Sequence, residues 1–120
     1  MKRILSVDDS PSVRQMVSFT LRKAGYEVGE ACDGCDALAK ASQSKFDMII
    51  TDLNMPNLDG IQMISAVRTL PGYAFTPILM LTTESHPEKK DAGRKAGATG
   101  WIVKPFNGDH LLAVVQKLVR

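Results

Sequence analysis

Five times in 120 residues a short apolar run is followed by a stretch of helical periodicity. Few folds can be built from that alternation, because a strand apolar on both faces must be covered on both faces, as in a parallel sheet flanked by helices. The first run is Ile4 to Val7. Ser10-Pro11 then supplies an N-cap and a proline at the first helical position, and Val13, Met16, Val17, Thr20, Leu21 and Ala24 recur at helical spacing until Gly25. Tyr26 to Ala31 carries Glu27 and Glu30 and suits a sheet edge better than its centre. Asp33 can cap a helix bearing Ala37, Leu38 and Ala41. Phe46 to Thr51 reads as a fully buried strand, and a helix from about Gly60 runs through Ile61, Ile64, Ala66, Val67 and Leu70 to Pro71-Gly72. Pro77 to Leu81 is a fourth strand. Ser85-His86-Pro87-Glu88 reads as a capping box opening a helix to Ala96 so polar that only alanines and a glycine are left for its buried face. That helix should be the most weakly anchored. Thr99 to Val103 is the fifth strand, and Asn107 caps a last helix with Leu111, Val114, Val115, Leu118 and Val119 on its apolar stripe. The expected fold is α/β: a doubly wound five-stranded parallel sheet with helices on both faces, forming one domain over 1–120 with no linker or output domain.

Other classes are disfavoured. Fifteen Lys and Arg against thirteen Asp and Glu leave a formal net charge of +2, too small to argue for nucleic acid or an anionic membrane. The N-terminal residues lack the apolar stretch of a secretory signal, and no run approaches a spanning helix, so a cytoplasmic protein is expected. Cys32 and Cys35 form a C-x-x-C without a second ligand pair, and they read as small apolar fillers between a strand and a helix.

In doubly wound sheets the site lies at the carboxyl ends of the strands. Here those ends carry Asp8-Asp9, Asp52, Thr82-Thr83 and Lys104-Pro105. Each residue alone has an ordinary explanation: a helix cap, a strand terminus, a solvated lysine. Their convergence on one edge does not. Three acids that repel one another call for a cation, and an oxygen-only ligand set open to water favours Mg2+. A carboxylate beside such a cation is a nucleophile toward phosphorus, which makes an aspartyl phosphate on Asp52 the expected chemistry.

These residues resemble the receiver domains of two-component response regulators, and among them the single-domain chemotaxis-type (CheY-like) proteins. The resemblance covers the whole chain: Asp8-Asp9, Asp52 with Met55-Pro56 and Asp59-Gly60, Thr82, Gly97-Ala98, and Lys104-Pro105-Phe106. It implies strand order 2-1-3-4-5. It also implies that Asp52 is the phosphoacceptor, that Asp9 and Asp52 ligate Mg2+ with the backbone carbonyl of Asn54, and that Asp8 acts through bound water. By the same resemblance Lys104 contacts the phosphoryl group, Thr82 and Trp101 form the switch pair, Asn54 and Glu84 tune the lifetime of the phosphorylated state, and the Lys104-Pro105 bond is cis. Trp101 departs from the tyrosine or phenylalanine commoner there, and its indole offers only an N–H donor.

The implied protein is not an enzyme acting on a separate substrate; it catalyses its own phosphorylation by a histidine kinase and its own dephosphorylation. It is a monomer that signals through its helix 4, strand 5 and helix 5 face. The implied targets are a flagellar motor switch component controlling flagellar rotation, a phosphatase, or another chemotaxis protein. The alternative is a stand-alone receiver acting as a phosphate sink or regulator in a non-motility phosphorelay. A flavodoxin-like carrier would need small and hydroxyl residues where Asp8-Asp9 stand, and an aspartyl phosphatase would need an acid where Asn54 stands.

Overall fold

The computed structural model of the chain describes residues 2–53, 58–82 and 87–119, with the side chains of 87 and 89 outside that description. Five strands, β1 (Arg3–Val7), β2 (Glu27–Ala31), β3 (Met48–Asp52), β4 (Ile78–Thr82) and β5 (Gly100–Val103), alternate with five helices: α1 (Pro11–Lys23), α2 (Gly34–Gln43), α3 (Gly60–Arg68), α4 (Pro87–Ala96) and α5 (Gly108–Leu118). The strands are all parallel, in the order β2-β1-β3-β4-β5. The acidic β2 therefore lies at an edge, where its charges reach water.

Strand periodicity of two sorts the core into two layers. Leu5, Ile49, Ile78 and Met80 face Ala37, Met63, Ile64 and Val67 of α2 and α3. Ile4, Met48, Ile50, Leu79 and Leu81 face Val17, Leu21, Leu111 and Val115 of α1 and α5. Complete burial of such side chains stabilises by about 1.5–3 kcal/mol each.

Two helix starts follow their sequence signals: Asp33 accepts from Asp36 N at 2.8 Å and Asn107 accepts from His110 N at 2.7 Å. The start of α3 is set by a device that was not read from the sequence, a reciprocal capping box between Asp59 and Gln62. The capping box read at Ser85 to Glu88 lies mostly outside the described residues. α4 has little apolar surface, and Gly93 is its closest approach to the sheet: a Cβ there would overlap the Met80 thioether. Its far end is tied by Arg68, which donates to Gly97 O at 2.6 Å, Tyr73 O at 2.7 Å and Thr76 O at 2.6 Å. Burial lowers the pKa of that guanidinium.

Two sequence expectations are corrected. Cys32 and Cys35 are exposed free thiols and fill no apolar space: they stand on either side of Asp33, the cap of α2, with their side chains in solvent. On α1, Ala24 is exposed while Ser18 is buried, its Oγ without a hydrogen-bond partner. The buried stripe of that helix is thus rotated toward Val17, Ser18 and Leu21.

Candidate functional site

Parallel strands that begin at one edge of the sheet must end together at the other, and that requirement builds the site. Asp8 leaves β1, Asp52 is the last residue of β3, Thr82 is the last of β4, and Lys104 follows β5. One carboxylate oxygen from each of Asp8, Asp9 and Asp52 lies within 4.8 Å of the others. Asp8 and Asp52 are buried at 1% and 6% exposure, whereas Asp9 is open to solvent. Lys104 Nζ stands 3.3 Å from Asp8 Oδ2 and 3.3 Å from Asp52 Oδ1. The sequence-predicted Asp8, Asp9, Asp52 and Lys104 are therefore brought into one cluster.

Backbone bonds hold each carrier in place. Asp8 N donates to Ala31 O at 3.1 Å, Leu53 N to Leu81 O at 3.2 Å, and Lys104 N to Thr82 O at 2.7 Å. The last bond ties the two strand ends that carry the lysine and the hydroxyl. The Lys104-Pro105 bond is cis, as expected. After Asp52 the chain returns so closely that Gly60 N reaches Leu53 O at 3.0 Å, and a Cβ on Gly60 would collide with the Asp52 carbonyl oxygen. The Asp59-Gly60 pair thus sets the closure of the loop: the aspartate caps α3 and the glycine permits the contact.

Thr82 is fully buried at the end of β4, in register with Val103. Trp101 is 39% exposed on β5 and points its ring toward Lys90, whose Nζ is 5.2 Å from the ring centroid. Asn54, Met55, Pro56 and Glu84 lie outside the described residues, so the lifetime-tuning positions and the expected carbonyl ligand have no geometry here.

Arg14 was not singled out from the sequence. One turn into α1, it donates from Nη1 to Asp8 O at 2.6 Å and from Nε to Glu30 Oε1 at 3.2 Å. Its only signal in the sequence is a charged residue beside Val13 on the inward side of an amphipathic helix, and that pattern does not name the partner.

Three carboxylates against one ammonium leave an excess of two negative charges in a small, partly buried space when all are ionised. The donor atoms are all hard oxygens, and Asp9 keeps the cluster open to water. This donor set fits a divalent cation. Asp52, Thr82 and Lys104 come from the carboxyl ends of the neighbouring strands β3, β4 and β5.

Comparisons with known proteins agree with that geometry. The family model described as the response regulator receiver domain matches residues 4–116. The DNA-binding dual master transcriptional regulator RpaA of Synechocystis is 38% identical over 120 residues, all of this chain and 50% of that protein. The chain spans about half the length of the curated relatives it matches. Among solved structures, the chemotaxis response regulator CheY4 of Vibrio cholerae superposes with a TM-score of 0.94 at 58% identity, covering 98% of each chain. The response regulator TrrA of Thermotoga maritima, solved in complex with Mg2+-BeF, has a TM-score of 0.87 at 36% identity, covering 98% of this chain and 99% of that one. The fold, the acidic edge and the match over nearly the whole sequence show that this chain belongs to the response regulator receiver domain family.

Proposed function

We propose that the chain is a phosphoryl-accepting signalling switch of chemotaxis type. The observation that carries this reading is the meeting of Asp8, Asp9 and Asp52 within 4.8 Å, with Lys104 bridging two of them. A histidine kinase is the donor. An Asp52 carboxylate oxygen attacks phosphorus, the O–P bond forms, and the N–P bond of the phosphohistidine breaks with its electron pair returning to the imidazole. Asp9 and Asp52 would hold Mg2+, with Asp8 acting through water and, as the family resemblance implies, the Asn54 carbonyl as a further ligand; the ion would offset the charge of the phosphoryl oxygens. Lys104 swings its ammonium between Asp8 and the transferred group, and the Thr82 hydroxyl donates to a phosphoryl oxygen. The same site later admits water to Asp52 phosphate, so the chain catalyses its own phosphorylation and dephosphorylation. That the similar TrrA was solved in complex with Mg2+-BeF supports a divalent metal in this reading.

Phosphorylation adds about 1.5 to 2 negative charges near Thr82. Thr82 moves toward them, and Trp101, now outward against Lys90, occupies the space that is left. The face of α4, β5 and α5, where Trp101 and Val103 are exposed, then changes for its target. Similarity to CheY4 favours a chemotaxis target such as a flagellar motor switch component, acted on by a monomer in the cytoplasm. No helix among the described residues is long and apolar enough to cross a membrane. Similarity to the longer RpaA favours a second reading, a receiver in a non-motility phosphorelay.

Acetyl phosphate with Mg2+ should add one phosphoryl group by mass spectrometry, and Asp52→Asn should abolish it; acceptance that survives the substitution would refute the assignment. Beryllofluoride-dependent binding to a motor switch protein separates the two readings.

A further inference from the structure

Asp8 sits between two peptide planes, and both are held. The plane before it is tied through Asp8 N to Ala31 O at 3.1 Å. The plane after it, which leads into Asp9, is tied by Arg14 Nη1 to Asp8 O at 2.6 Å. Arg14 is itself held: its Nε meets Glu30 Oε1 at 3.2 Å, and Glu30 Oε2 lies 3.6 Å from Arg22. Glu30 precedes Ala31, whose carbonyl takes the other bond, and the Glu30 carbonyl accepts from Lys40 Nζ. One bracket of α1, β2 and α2 side chains thus fixes the backbone on both sides of Asp8. Arg14 is mostly enclosed, its side chain 19% exposed, so its fork is withdrawn from solvent and committed to these two acceptors.

Asp8 already has partners of its own in Lys104 Nζ and the Ser10 N–H. Asp9 has no hydrogen bond or ion pair described for its side chain and is exposed, so where its Cα and Cβ stand, and hence what its carboxylate can reach, depends on the peptide plane that carries it. We propose that Arg14 is the positioning residue for Asp9: by holding the Asp8-Asp9 peptide it keeps the Asp9 Cα and Cβ where the exposed carboxylate reaches Asp8 and Asp52. This rests on the reading of the acidic cluster as a divalent-cation site. A bound ion then finds the third ligand already within reach, and part of the ordering cost of Asp9 is met by folding. Partners that orient a ligand in this way commonly change metal affinity by about 10- to 100-fold when removed.

The test is isothermal titration calorimetry with Mg2+ on wild type, Arg14→Met, Arg14→Lys and Glu30→Gln, with the acetyl phosphate rate at saturating Mg2+ as a second readout. Arg14→Met should bind Mg2+ about 10- to 100-fold more weakly while its rate at saturation stays close to wild type, since Asp52, Lys104 and Thr82 are untouched. Glu30→Gln keeps the Arg14 bond to Asp8 and should stay close to wild type in affinity. Arg14→Lys, which keeps the charge but replaces the fork by a single head, should fall between, and it carries the test should the methionine variant not fold. Wild-type affinity in both Arg14 variants would overturn the proposal, as would a loss at saturation equal to the loss in affinity. Failure of the wild type itself to bind Mg2+ would overturn the metal reading instead, and needs no variant to be seen.

Discussion

Lys104→Met removes the one ammonium that the described residues bring to the acidic cluster and leaves a side chain of similar length. In the wild type each of its two contacts spans 3.3 Å, which at an effective dielectric constant of about 20 corresponds to about 5 kcal/mol of attraction apiece. Withdrawing the ammonium and two carboxylates from water offsets much of that sum. What is lost when one partner of a buried pair is deleted is about 3–5 kcal/mol. Lys104 retains 17% exposure and Asp9 opens the cluster to water, so the lower end, about 3 kcal/mol, applies. With an unfolding entropy of about 2.1 cal/mol/K per residue over 120 residues, that is a fall of about 12 °C in Tm without metal.

Divalent cation should reverse part of this loss. Lys104 and the ion compete for the same carboxylates, so the variant should bind Mg2+ more tightly than wild type, by about tenfold or more. Each tenfold adds about 1.4 kcal/mol of extra stabilisation at saturation, or about 6 °C for this chain. The measurement is thermal unfolding by circular dichroism for both proteins, with chelator and with saturating Mg2+. An unchanged Tm in chelator, or the same Mg2+ shift in both proteins, would refute the argument that Lys104 compensates the acids. Phosphoryl acceptance should fall in the variant in spite of its tighter metal, which separates charge compensation from contact with the phosphoryl group.

Two further substitutions test the frame around the site. Tyr73 is buried, and its hydroxyl accepts from Phe46 N at 3.1 Å and lies 3.0 Å and 2.9 Å from Ala41 O and Ser44 O, so Tyr73→Phe should cost about 1–3 kcal/mol in denaturant unfolding while leaving Mg2+ affinity unchanged. Burial acts to raise the pKa of Asp36, but its bond from Cys32 N and its pairing with Lys40 outweigh that and hold the carboxyl below its ordinary value. A depressed folded-state pKa contributes stability above the unfolded-state value of about 3.9, lost as pH falls through the lower folded value. Asp36→Asn should accordingly cost about 0.5–1 kcal/mol at neutral pH, a solvent-screened figure, and the gap should close in acid; a gap that persists there would show that the charge is not its source.

Much of the fold was legible in the chain because β1, β3 and β4 announce themselves by being apolar on both faces, and α1, α2 and α5 by their caps. The acidic β2 could be placed at an edge because Glu27 and Glu30 need water. Element ends moved by only a few residues, set by hydrogen bonds that no periodicity records. Cys32 and Cys35 were misjudged because residue type does not report the direction of a strand-to-helix turn, and both thiols lie in solvent there. Ser18 was overlooked because a hydroxyl on a buried stripe looks like a break in the pattern.

For the site, the chain by itself determined which side chains end the strands, since a carboxylate or lysine directly after a buried run has nowhere to go but the carboxyl edge. Asp8, Asp9, Asp52 and Lys104 follow from that rule, and Thr82 from its place at the end of the fourth apolar run. Only the tertiary structure decided that Lys104 bridges Asp8 and Asp52, that Gly60 closes against the Asp52 carbonyl, and that Arg14 grips the peptide between Asp8 and Asp9. The reason is physical: alternation and capping are local and repeat along the chain, whereas these contacts join residues from different elements, and their distances exist only once the sheet has set the strands side by side.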